Sequence, residues 1–231
     1  LYDGKGKSTD MTIVVEDAKI VDVSKSKSKG HMTGIVTPAF IDPHSHIGME
    51  RQGEPVAESE VDDTFKTISP MQNPVDSIYF DDRAFSEAVD FGVLYSCVIP
   101  GSGNLIGGKA VTIKNFAANR SMAVMDDYGY KMALGFNPRT GNELKSGRHN
   151  TRMGNAGLLE REFSGVLRKE KLAKIKKEKL LFDLTRESER NNYTKQEIQQ
   201  NKNWIDDAYQ LALSVEERSL FDLLTQKKTI K

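Results

Sequence analysis

The stretch TPAFIDPHSHIGM, residues 37–49, holds two of the chain's four histidines, His44 and His46. They sit one residue apart at the end of an apolar run. Residues two apart on a β-strand project to the same face, so both imidazoles can reach one point. Two neutral nitrogen donors converging on one point suit a zinc-like ion, at about 2.0–2.1 Å. Spacing alone fits a pair of structural histidines equally well. Asp42 shares the parity of the pair. It is either an acceptor that orients an imidazole or a surface residue at the strand end.

Other side chains suggest chemistry less sharply. The Gly-rich run GSGNLIGG carries Ser102 and Asn104, which can donate hydrogen bonds to a substrate or simply shape a turn. GNLIGGKA, residues 103–110, nearly matches the phosphate loop G-x-x-x-x-G-K-[ST]. Ala110 replaces the hydroxyl that would hold magnesium, and the following VTIKNF favours a strand over a phosphate-binding helix. His149 and Arg152, in GRHNTRMG, are either substrate contacts or surface residues. Arg152 has the chemistry to hold a carboxylate. Cys97, the single cysteine, lies in the apolar VLYSCVIP and reads as a buried thiol.

These residues need elements to hold them. TIVVEDAKIVDVS reads as a tight hairpin and SKSKSKGHMTG as a loop. GIVTPAFIDPH is the strand that ends at the histidines. The polar stretch from Met49 to Ser77 is long enough to be a functional or mobile loop. DDRAFSEAVDFG reads as a helix capped by Asp81 or Asp82, with Phe85, Ala88 and Val89 on one face and Gly92 as its stop. With VLYSCVIP after it, strand–helix–strand predicts a parallel βαβ unit. AVTIKNF and YKMALGF are further strands, the latter with Lys131 near its start. From Gly157 to Thr225 the chain is rich in Leu, Lys, Glu and Arg at helical spacings. Thr194–Glu197 and Ser214–Glu217 fit the capping box. The charged run from Arg168 to Lys179 reads as a solvated helix face. KKTIK looks like the opening of one more strand.

Of the 231 residues, 33 are basic and 33 acidic, a balance that argues against a dedicated nucleic-acid binder. There is no apolar run of bilayer-spanning length and no signal peptide, so the expectation is a cytoplasmic protein without membrane partners. The opening LYDGKG lacks a methionine, which points to a start further upstream.

GIVTPAFIDPHSHIGM resembles the first barrel strand of the amidohydrolase superfamily, where an apolar strand of the form V-x-P-x-F-I-D ends in His-x-His. PGSGNLIGGKAVTIK and KMALGFNPRTGNELKSGRHNTRMG resemble segments of its imidazolonepropionase-related branch. The resemblance covers about residues 1–163. It implies an α/β chain: a (β/α)8 TIM-like barrel, incomplete here, with a small N-terminal β-sandwich and a helical insertion. The sandwich would take residues 1–35 and the first part of the barrel residues 36–231, with the charged insertion at about 157–213. It implies a divalent metal, zinc, held by His44 and His46. The activity implied is hydrolysis of a non-peptide C–N bond in a cyclic amide or related small molecule. Ser102, Asn104, His149 and Arg152 become candidate substrate contacts, and a homo-oligomer is a further expectation.

The sequence also departs from that pattern. Phe136 stands where relatives often carry a glutamate ligand, and Lys131, the alternative as a carboxylated bridge, falls at the wrong end of its expected strand. The remaining ligands and the catalytic base are expected beyond Lys231, since a full barrel takes about 250 residues. A non-catalytic barrel relative that acts as an interaction protein is the alternative. A phosphate-loop nucleotide binder is a weaker one.

Overall fold

The structure, a computed structural model, describes residues 1–2, 4–6, 11–25, 30–51, 53–63, 65–140, 151–225 and 229–230. Strands β1 (Thr12–Glu16) and β2 (Lys19–Ser24) form an antiparallel hairpin. Asp17 and Ala18 link them with φ of 47° and 60°, the left-handed pair that a two-residue hairpin turn needs. Ala18 carries a Cβ into that region at a cost. Ala18→Gly is therefore expected to raise stability by about 0.5–1 kcal/mol, read as a higher urea midpoint at unchanged slope. Among the described residues these two strands make a sheet of their own.

Among the described residues a second sheet has five strands, in the order β3 (Phe40–Ser45), β4 (Val93–Val98), β5 (Ile106–Lys114), β6 (Val124–Met132) and β7 (Thr229–Ile230). Between β3 and β4 runs helix α1 (Arg83–Asp90), and the two strands pair in parallel, as the strand–helix–strand pattern predicts. Asp82 caps α1 by accepting the Ala84 N–H at 3.0 Å, and Phe85 is its buried anchor. Asp82→Ala is expected to cost about 1 kcal/mol, measurable by chemical denaturation.

The next connections are shorter. β4 turns straight into β5, and β5 reaches β6 through the one-turn α2 (Arg120–Ala123). Both pairs are antiparallel. A parallel crossover needs a dozen or more residues, which neither link has. The observed sheet is thus mixed, where the barrel expectation calls for parallel strands throughout. β3, β4, β6 and β7 still run in one direction, because β5 alone is reversed and β7 pairs with β6 in parallel.

β5 outruns β4: Val98 pairs with Val111, and β4 stops there. The vacated side of residues 106–109 is filled by the segment that the sequence marks as a long polar loop. Ile106 N–H donates to the Thr67 carbonyl (3.3 Å), Ser69 N–H to Ile106 (2.8 Å) and Lys109 N–H to Gln72 (2.8 Å). That segment also holds two 3-10 turns, Val56–Glu58 and Pro74–Ser77.

Alternation along β4 splits the core. Val98 joins Val111, Ile113, Phe85, Met49 and Ile78 in one cluster, while Cys97 and Ile99 pack with Ala110 in another. The thiol of Cys97 is buried, as its apolar context predicts.

After the short α3 (Asn137–Thr140) come α4 (Arg152–Asn191), α5 (Lys195–Gln210) and α6 (Val215–Thr225). α4 alone is about 60 Å long. It ends at Asn192, which takes the left-handed conformation at φ 53°. Both predicted capping boxes form: Glu197 accepts from Thr194 N–H at 2.8 Å, and Glu217 from Ser214 N–H at 3.0 Å. The Thr194 N–H holds the Glu197 carboxyl below the usual carboxylate range. Val166, Leu220 and Leu223 seat α4 and α6 on Ile106 and Tyr130 of the sheet. Among the described residues no helix is long and apolar enough to cross a membrane.

Candidate functional site

β3 carries His44 as its penultimate residue, and His46 follows immediately after the strand. The chain then folds back sharply: Met49 N–H donates to the His46 carbonyl at 3.0 Å. Gly48, at φ +77°, takes the position of that turn which favours glycine. A Cβ there would also meet Ile78 Cγ2 at 2.9 Å. The turn buries Met49 and leaves the two imidazoles at the strand's C-terminal end.

The rings are 5.6 Å apart, centroid to centroid, and nearly perpendicular at 80°. His44 is exposed and His46 half-buried. His46 Nδ1 lies 2.7 Å from the carbonyl oxygen of Ile99, just past the end of the neighbouring strand β4. A carbonyl only accepts, so Nδ1 carries the proton and Nε2 of the neutral ring keeps its lone pair. That is the tautomer that a metal-ligating histidine adopts when its other nitrogen is held by backbone. The Asp42 carboxylate accepts the backbone N–H of His44 at 3.0 Å and so shapes the strand end.

The loop after β4 runs along the same edge of the sheet. Gly101 N–H donates to the Val61 carbonyl at 2.8 Å, and Gly103 N–H to Asp62 Oδ1 at 3.0 Å. Ser102 Oγ accepts from Asn137 Nδ2 at 2.6 Å, which ties this loop to the segment after β6. Asn104 is only 1 % exposed and donates its amide to the Asp63 carbonyl. It braces the loop from inside. Arg152 is exposed at the start of α4, and His149 lies outside the described residues.

Lys131 stands differently from its expected place. The strand begins at Val124, so Lys131 is its penultimate residue and belongs to the C-terminal edge. The side chain is 6 % exposed, and burial pushes its ammonium below the ordinary lysine range, with the Asp62 carboxylate opposing that shift. Three strand spacings separate β6 from β3, about 14 Å across the sheet. Sequence reasoning missed Asp62 altogether, because it sits in a stretch without period and meets Lys131 only through the fold.

The phosphate-loop reading fails on geometry. Gly107, Gly108, Lys109 and Ala110 are all inside β5, with no helix N-terminus after them. Lys109 is already paired across the sheet with Asp127 at 2.8 Å.

The donor set fits a divalent cation in part. His44 and His46 offer two nitrogens of the right chemistry, whereas a zinc site takes at least three protein ligands. Among the described residues, no group of three or more His, Cys, Asp or Glu side chains is placed to share an ion.

No family model matches the chain. It is 27% identical over 162 residues to amidohydrolase tasK of Hapsidospora irregularis, a match covering 65% of this chain and 16% of that protein. Its structure is similar to the crystal structure of an amidohydrolase from Thermotoga maritima MSB8, with a TM-score of 0.58 and 28% identity over 70% of this chain and 45% of that one. The chain therefore spans less than half the length of either relative. Over the matched residues the chain is thus similar in sequence and in fold to proteins named amidohydrolases.

Proposed function

We propose that this chain forms part of a metal-dependent amidohydrolase that cleaves a non-peptide C–N bond in a cyclic amide or related small molecule. The observation that carries the reading is the Ile99 carbonyl on His46 Nδ1, which leaves Nε2 available at the strand end beside His44. In this reading His44 and His46 hold a divalent cation, zinc. When bound, the cation polarises the scissile group and lowers the pKa of water. The chain's own contributions are positional. Asp42 and the Gly48 turn shape the backbone that carries the two histidines, and Asn104 braces the Gly-rich loop. Ser102 and Arg152 face the substrate, with His149 as a further contact. The general base lies outside this set.

The same reading extends to organisation: residues 1–35 belong to a small β-sandwich, residues 36–231 to the first part of a barrel, and the protein works in the cytoplasm as a homo-oligomer. A second reading is a non-catalytic relative. It is favoured by the want of a third ligand beside the histidines among the described residues. The two separate in one experiment, which measures zinc content and then hydrolysis of a cyclic-amide panel before and after chelation. Zinc-dependent turnover supports the enzyme. Stoichiometric zinc without turnover supports the second reading, and no zinc sinks the enzyme reading.

A further inference from the structure

Two helix faces in the charged region carry rows of uncovered apolar side chains. On α4, Arg168, Leu172, Ile175, Lys179, Phe182 and Arg186 follow one another at alternating steps of four and three. They therefore line one side of the helix, and all six are exposed. Three are large apolar residues, three are cations and none is acidic. Arg186 lies over the Phe182 ring, 5.9 Å from its centroid. The ion pairs that α4 makes among the described residues use Arg161, Lys169, Glu170 and Lys177 instead. The other side of α4 faces α5, where Lys177 pairs with Asp206 at 2.7 Å and the Tyr209 hydroxyl donates to Glu170. α5 has an outer side of its own. Trp204, Ala208 and Leu211 share it at steps of four and three, with Trp204 63 % and Leu211 82 % exposed. Glu197 and Asp207 lie on that side too, and its remaining positions are the uncharged Gln200 and Asn201. Single exposed apolar residues are ordinary on a protein surface, whereas rows of them at helical spacing are the anchors of helix docking.

The two rows are complementary, one apolar and basic, the other apolar and acidic. Because α4 and α5 pack through their inner sides, the rows point away from each other and cannot meet within one chain. We propose that α4 of one copy of this chain docks on α5 of a second copy. Leu172, Ile175 and Phe182 then meet Trp204 and Leu211, with the flanking cations beside Asp207 and Glu197. Setting two α4 rows against each other would instead oppose cation to cation, which is unfavourable. The contact uses different surfaces on the two copies, so it closes into a ring or runs on from copy to copy. It gives the homo-oligomer proposed above a surface, and it uses none of the residues assigned to metal or substrate.

Analytical ultracentrifugation of the full-length protein tests it. The wild type should associate at concentrations up to about 100 μM, where even a weak interface shows. Phe182→Glu and Trp204→Ala should each weaken that association at least about thirtyfold, as loss of an interface anchor does. Both side chains are exposed, so neither substitution should move the urea midpoint. An equimolar mixture of the two variants should form a dimer and nothing larger, because each supplies the face that the other lacks. Added salt should weaken association, since it screens the flanking charges. A wild type that stays monomeric overturns the contact and leaves an acidic partner protein as the occupant of α4. Association unchanged by both substitutions overturns it too, and assigns the homo-oligomer to another surface. A mixture that forms no dimer overturns the pairing of α4 with α5.

Discussion

His46→Ala is expected to weaken divalent-metal binding by at least about a hundredfold, and His44→Ala to do the same. Loss of a group that only supports a ligand already costs about ten- to a hundredfold, so loss of the ligand itself costs more. The value of the test lies in the split between affinity and stability. His44 is exposed, so its truncation should change folding stability by no more than about 0.5 kcal/mol. His46 is half-buried and gives up its hydrogen bond to Ile99, a loss of about 1 kcal/mol. Both are small beside the expected change in metal affinity. Zinc titration and urea denaturation on the same variants separate the roles. Unchanged zinc affinity in either variant, with stability falling, would make the pair structural and remove the basis of the hydrolase reading.

Gly108→Ala is expected to destabilise the protein by about 2–6 kcal/mol. Two costs combine. Gly108 has φ +136°, a conformation that L side chains rarely adopt, worth about 1–3 kcal/mol. The added Cβ would also lie 2.5 Å from the Gln72 carbonyl oxygen and 3.1 Å from its carbon, so backbone rather than a flexible side chain must move. Overpacking of that kind costs about 1–3 kcal/mol more. Gly53 supplies the control. It has φ +91° but open space around its Cβ position, so Gly53→Ala should show the conformational cost alone. If both variants lose the same stability by urea denaturation, the contact with Gln72 carries no weight, and residues 67–72 are not firmly docked on β5.

Much of the local structure was legible in the sequence, wherever the responsible interactions are short-range. The Asp82 cap, the Thr194–Glu197 and Ser214–Glu217 boxes, the hairpin after Glu16 and the βαβ order each depend on residues within a few positions of one another. So does the nearness of the two histidines, which stand two positions apart where β3 ends. The start of β6 was misplaced because Val124–Gly129 has neither strict alternation nor a continuous apolar run. That error carried Lys131 to the wrong end of its strand.

By itself, then, the sequence determined that two imidazoles would stand together at a strand end, and that a helical region would follow from Gly157. The tertiary structure decided the rest. It brought the Ile99 carbonyl to His46 across 53 positions and so chose the tautomer. It set Asp62 against the Gly-rich loop across 41 positions and laid residues 67–72 along β5. It buried Lys131 beside Asp62 and closed the core over Asn155. Periodicity and capping act along the chain, whereas a hydrogen bond between distant segments forms only once strand order and packing have brought them together.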